Sequence, residues 1–204
     1  MNVHPRVFAC LTIAIVSPTA AQAATTIFTA NLSGANEVPP VASPGTGSAT
    51  VTFDDVTNLL TVRASFGGLI GTTTAAHIHC CTLPGSNAGV ATAVPTFPGF
   101  PLGVTAGSYQ SSFDLTLASS FNPAFVTSNG GTVASARSVF VNGLLTGRTY
   151  FNIHTTQFPG GEIRGQLAAV PEPATWAMMI GGFGMAGGAM RTARRRGKVR
   201  FAAS

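Results

Sequence analysis

The sequence predicts an all-β domain, an antiparallel sandwich or Greek-key-like barrel carrying one or two short helices. Short segments of alternating polarity recur between turn-forming clusters; residues 48–53 and 59–66, for example, flank Asp54-Asp55-Val56-Thr57-Asn58, a hairpin signal. Between residues 24 and 170 the chain has no lysine and sets Arg63, Arg137, Arg148 and Arg164 against Glu37, Asp54, Asp55, Asp114 and Glu162, a balance of 4 − 5 = −1. A chain so poor in charge and rich in Thr, Ser, Gly and Phe suits a β-rich extracellular module. Only residues 122–129 and 132–145 read as helical. The second has Val133, Ala136, Phe140 and Leu144 at helical spacing and Gly147 beyond its end.

Residues 1–23 read as a secretory signal: a weakly basic start at Arg6, an apolar run from Val7 to Val16, then Ala21-Gln22-Ala23 as a small-x-small cleavage site. The run is too short to span a bilayer permanently. Residues 24–169 form the predicted domain. Residues 26–32 alternate as a first strand, and the Pro/Gly-rich stretch 39–47 is a loop. After the hairpin, Gly67-Gly68-Leu69 leads to a strand over 75–81. The Pro- and Gly-rich segment 82–107 reads as a long ordered loop on one rim, and such loops often carry function. Residues 108–117, 150–155 and 161–167 complete seven or eight short strands.

Two of these strands hold every histidine beyond His4. Period-2 geometry puts His77 and His79 on one face, with Ala76 and Ile78 on the other. It does the same for Tyr150, Asn152 and His154 against Phe151 and Ile153, and for Glu162, Arg164 and Gln166 against Ile163 and Leu167. If the three strands share a sheet, three imidazoles, a carboxylate and a guanidinium converge.

The functional reading is a metal site. A His-x-His pair offers two nitrogens to one ion and His154 a third, a donor set that suits copper or zinc. The arrangement is similar to the His-x-His strand of copper/zinc superoxide dismutase, yet no Asp or fourth histidine supplies that enzyme's bridging ligand. The alternative is a hydrogen-bonded network in which the three rings pair with Asn152, Glu162 or backbone and fix strand register. Glu162 and Arg164 then form a neighbouring pair. No Gly-x-Ser-x-Gly motif points to hydrolysis, and no catalytic residue is assigned.

Cys80 and Cys81 are the cysteines left once a signal carrying Cys10 is removed. In an exported protein two thiols seldom stay free. A vicinal disulfide is the leading reading. Bridges to a second chain, soft ligands for copper(I) beside His79, and a reduced pair remain open.

Four separated motifs carry a resemblance. Leu32-Ser33-Gly34-Ala35-Asn36-Glu37-Val38-Pro39-Pro40-Val41, Ala76-His77-Ile78-His79, Tyr150-Phe151-Asn152-Ile153-His154-Thr155 and Gly161-Glu162-Ile163-Arg164-Gly165-Gln166 together resemble the CHRD domain, first named from chordin, over about residues 26–167. The resemblance implies an extracellular β-rich module and names no reaction. Cys80-Cys81 departs from the family pattern, where many members have Gly soon after the histidines.

Residues 170–204 differ in kind. Pro171-Glu172-Pro173 precedes Trp176, an uncharged Gly-rich run to Met190, and Arg191 with Arg194, Arg195 and Arg196. The run reads as a minimal transmembrane helix with an interfacial aromatic and a cytoplasmic basic cluster. This order resembles the PEP-CTERM sorting signal. The resemblance implies transient inner-membrane anchoring, recognition at Pro171-Glu172-Pro173 by an exosortase-type protease, and release toward the cell surface. The formal net charge of +5 therefore resides in the two ends and does not mark a nucleic-acid partner. The leading functional expectation is a structural or binding component of the cell envelope or exopolysaccharide matrix, in contact with polysaccharide or surface proteins. The alternative is an extracellular copper- or zinc-binding protein, redox-active in one version, using His77, His79 and His154.

Overall fold

The computed structural model describes residues 25–171, 180–187 and 191. Its strands are β1 (Thr25–Ser33), β2 (Thr46–Asp54), β3 (Leu59–Gly67), β4 (Thr73–Cys80), β5 (Gly107–Asp114), β6 (Thr149–Thr155), β7 (Ile163–Gln166) and β8 (Ala168–Ala169); the helices are α1 (Pro123–Ser128) and α2 (Val133–Leu145). One antiparallel sheet runs β4-β6-β7-β1-β2-β3-β5, with β8 paired to β1. It curls into a half-barrel around the core, as the alternating segments predict.

The β2–β3 hairpin shows how local chemistry sets register. The Asp54 carboxylate accepts the N–H groups of Val56 and Thr57 at 3.0 and 2.9 Å. Asn58, with φ 56°, takes the left-handed turn position its side chain tolerates. Pairing then runs from Asp54↔Leu59 to Thr46↔Gly67 without a slip. Phe28, Val51, Phe53, Leu60 and Val62 thereby all face the core. The opposite face is solvated and hydroxyl-rich, with Ser48–Ser65 and Thr61–Ser112 hydroxyl pairs at 3.0 and 2.9 Å.

Thr132 and Ser135 form a capping box at the start of α2. Ala136, Phe140 and Leu144 are fully buried on the predicted face. The strand expected over 108–117 stops at Asp114, because that carboxylate turns back to accept the N–H and hydroxyl of Thr116 at 2.8 and 2.6 Å.

The rim loop does more than connect. It lies along the free edge of β4 and satisfies it group by group. Thr92 and Thr96 hydroxyls accept the Ile78 and Ala76 N–H groups, and the Ile78 and Ala76 carbonyls accept from Ala91 and Phe97. The open edge is thus covered, and Phe97 drops into the core, where its ring meets Phe113 and Phe151. The same loop meets His77, His79 and Tyr150 on the outer face of β4 and β6, the segments around Glu37 and Pro159 meet Asn152 and His154, and these strands are largely buried on both sides.

Residues 180–187 are helical and exposed. Among the described residues no helix is long and apolar enough to cross a membrane. The signal over 1–23, Glu172, Pro173, Trp176 and Arg194–Arg196 lie outside the described residues, as does most of the expected transmembrane run.

Candidate metal centre

Strands β4 and β6 pair antiparallel, with His77 opposite Asn152, His79 opposite Tyr150 and Ala75 opposite His154. The parity read from the sequence therefore places all three imidazoles on the outer face, beneath the loops. Ring centroids are separated by 5.9 Å for His77–His79, 5.2 Å for His77–His154 and 5.6 Å for His79–His154.

Each ring is oriented by one backbone carbonyl. His77 Nε2 meets the Pro95 oxygen at 2.7 Å, His79 Nδ1 the Ala88 oxygen at 2.9 Å, and His154 Nδ1 the Pro159 oxygen at 2.9 Å. A carbonyl only accepts, so those nitrogens carry the protons. The remaining three, His77 Nδ1, His79 Nε2 and His154 Nε2, are buried without hydrogen-bond partners. In neutral rings they are lone pairs. Burial keeps the rings neutral: with a smaller push from the neighbouring imidazoles, and against the pull of the carbonyls, it lowers His77 and His79 to about 4. His154 is lowered as well, by burial.

One ligand nitrogen from each ring lies within 4.8 Å of the other two. Nitrogens sharing one tetrahedral ion at 2.0–2.1 Å stand about 3.4 Å apart, so shifts of no more than about 0.8 Å per nitrogen close the set. The carbonyls that hold the outer ring nitrogens are the kind of support metal-bound imidazoles receive. The rings bond to neither Asn152 nor Glu162 through either nitrogen, so of the partners expected in a hydrogen-bonded network only backbone is used.

Around the trio, Tyr150 stacks on His79 at 4.7 Å, and the Arg164 guanidinium lies over the Tyr150 ring at 4.5 Å. The Tyr150 hydroxyl meets both N and O of Ala88. Arg164 donates to the Asn36 carbonyl at 2.6 Å and to Asn87 Oδ1 at 2.7 Å, and its Nε is 3.9 Å from Glu37 Oε2. Burial pushes Glu37 up to about 7 against the opposing pull of Arg164 and Asn152. Glu37 stands in the first quoted motif, but the strand pattern gave no reason to place it here.

Glu162 is the correction. The sequence put it in the row with Arg164 and Gln166, facing the histidines. Strand β7 starts one residue later, and Gly161, at φ 132°, redirects the chain before it. The carboxylate instead accepts from Ser43 and Thr155 hydroxyls at 2.6 and 2.7 Å and from the N–H groups of Ile70 and Gly71. Burial opposes its ionisation, but these donors outweigh that and hold it below the usual carboxylate range. Its work is to tie loops together.

Cys80 and Cys81 pair as a vicinal disulfide beside α2. Cys80 lies on the core side of β4, away from the imidazoles. Gly143 faces both sulfurs: a Cβ there would sit 2.6 and 2.8 Å from them.

The family model of the CHRD domain matches residues 28–167. The chain belongs to the CHRD domain family. The centre lies within that match, and a second model, the PEP-CTERM protein-sorting motif, matches residues 169–196. This CHRD protein thus carries a signal for export, membrane-anchored sorting and processing by an exosortase, as its tail predicts. No curated protein and no solved structure gives a match.

Proposed function

We propose that this surface-sorted CHRD protein binds one copper or zinc ion through His77, His79 and His154 after export. The observation that carries the reading is the set of three buried, partnerless ring nitrogens, each on a neutral imidazole whose other nitrogen is held by a carbonyl. Three lone pairs repel and cannot hydrogen-bond one another; a cation between them removes both penalties. Neutral nitrogen donors suit both metals. The test is a competition titration of the purified full-length chain with Cu(II) and Zn(II). It should give one equivalent bound, with affinity lost by at least a hundredfold in His77→Ala and His154→Ala. Equal affinity in wild type and both variants would refute the site.

A place in the envelope or exopolysaccharide matrix accompanies this reading. The solvated face of β1, β2, β3 and β5 supports it. Thr29, Ser48, Ser65, Ser108 and Gln110 are exposed there, and Arg63 is the one cation between them. Neutral hydroxyls and amides suit hydrogen bonding to glycan. Co-sedimentation with the producing cell's own polysaccharide, reduced by bulky substitutions at Ser65 and Gln110, is the expected outcome. No co-sedimentation would leave the metal site as the function.

A further inference from the structure

Among the described residues, three histidines are the whole donor set, since no further His, Cys, Asp or Glu joins them within ligand reach. A zinc or copper ion takes a fourth ligand, and a site closed by protein alone would supply it. Here the position is left to something from outside. A cleft of about 530 Å³ reaches His79 and is bordered by Glu37, Asn87, Tyr150 and Gly161.

Two further anomalies lie at and just behind its wall, which Glu37 lines and Asn152 does not. Glu37 is 6% exposed and Asn152 2% exposed, yet Glu37 Oε1 and Asn152 Oδ1 have no hydrogen-bond partner. The two oxygens sit together with Asn152 Nδ2: a Cβ on Gly161 would lie 2.5 Å from that nitrogen, 2.6 Å from Asn152 Oδ1 and 2.7 Å from Glu37 Oε1. Asn152 is also beside the trio, opposite His77 across the β4–β6 ladder and two residues from His154. Asn152 Nδ2 draws on the Glu37 carboxylate, yet neither oxygen is within hydrogen-bond distance of a donor, and two such buried acceptors call for one. A metal-bound oxygen with hydrogens supplies both needs at once, a fourth bond to the ion and donors to the acceptors.

The geometry points to an exchangeable fourth ligand at this centre, a small oxygen ligand bearing O–H groups, water in the resting state, oriented by Glu37 and Asn152 and replaceable through the cleft. The inference rests on the metal reading above. It makes the centre an open site of the kind that acts on ligands, in contrast to a closed structural one.

The test loads the full-length chain with Cu(II) and records pulsed EPR in D2O, followed by titration with azide, an anion with no hydrogen to donate. Wild type should show strongly coupled exchangeable deuterons of a bound water, lost as azide replaces it. In Glu37→Gln and Glu37→Leu, and separately in Asn152→Leu, copper should still bind one to one. Water, deprived of an acceptor, should then yield more easily, lowering the azide Kd about tenfold in the leucine variants. Bound copper with no exchangeable deuterons and no response to azide overturns this inference and leaves the metal site standing. So does an azide Kd unchanged across the correctly folded variants. A wild-type chain that takes up neither copper nor zinc stoichiometrically overturns both readings.

Discussion

The His79 imidazole lies flat on the Tyr150 ring, 4.7 Å between centroids and 7° from parallel. Strand register makes the pair, since the two residues are direct cross-strand neighbours. The tyrosine hydroxyl then reaches Ala88, the residue whose carbonyl also holds His79. One aromatic side chain therefore fixes the plane of a ligand ring and the loop that orients it.

Removing that hydroxyl separates the two roles. Tyr150→Phe keeps the stack and releases Ala88, so a loss of about 1 kcal/mol in unfolding free energy is expected. A metal affinity weakened severalfold should accompany it. Tyr150→Ala also opens a cavity and should cost about 3–5 kcal/mol. Urea unfolding of the metal-free variants measures both, and equal losses would contradict the division.

The metal-free protein should lose stability in acid. His77 and His79 stay neutral down to about 4, whereas an imidazole in the unfolded chain takes a proton near 6.5. Between those values the unfolded state binds more protons, so stability rises with pH across the window and is lost as pH falls through it. Glu37 works in the opposite sense. Its rise from 4.5 to about 7 gives the folded state the extra proton, so its contribution fades as pH climbs to 7. Three depressed imidazoles outweigh one raised carboxyl. The Tm of chelator-treated protein should fall from pH 7 to pH 4.5; a Tm that rises would reverse the assignment.

Gly143 is a test of packing around the disulfide. Alanine in a helix interior ordinarily gains about 1 kcal/mol over glycine. Here the added methyl meets Cys80 and Cys81 sulfurs at 2.6 and 2.8 Å, and overpacking of this kind costs about 1–3 kcal/mol. Gly143→Ala should lower Tm by several degrees. A raised Tm would mean that α2 and the disulfide do not approach so closely.

Much of this centre was legible in the chain. Period-2 alternation put His77, His79 and His154 on one face because the pairing of β4 and β6 keeps parity from Ala75 to Cys80, past the irregularity at Thr73, and their apolar partners Ile78, Phe151 and Ile153 are all fully buried. The helix at 133–145 followed from the spacing of Val133, Ala136, Phe140 and Leu144 and from Gly147 beyond its end. The partners of the imidazoles were not legible. Pro95, Ala88 and Pro159 act through backbone carbonyls, which every residue possesses, so no side-chain pattern marks them. Glu162 was misplaced because parity counts only inside a strand, and the chain turns at Gly161 just before β7 begins. Glu37 arrives from a loop more than a hundred residues from Asn152 in sequence, and only tertiary folding brings the two orphaned oxygens together.

Metal binding should also stabilise the fold. An ion that binds only the folded state adds about 4 kcal/mol at a thousand times its Kd. Zn(II) should therefore raise the Tm of the full-length chain, a chelator should reverse the gain, and His154→Ala should abolish it. A similar rise in that variant would place the ion elsewhere.

X-ray absorption at the copper or zinc edge of the metal-loaded full-length chain tests the central claim most directly. The account predicts three imidazole nitrogens and one oxygen ligand at about 2.0–2.1 Å, with no sulfur in the shell. A shell containing sulfur near 2.3 Å, or one without imidazole scattering, would contradict it.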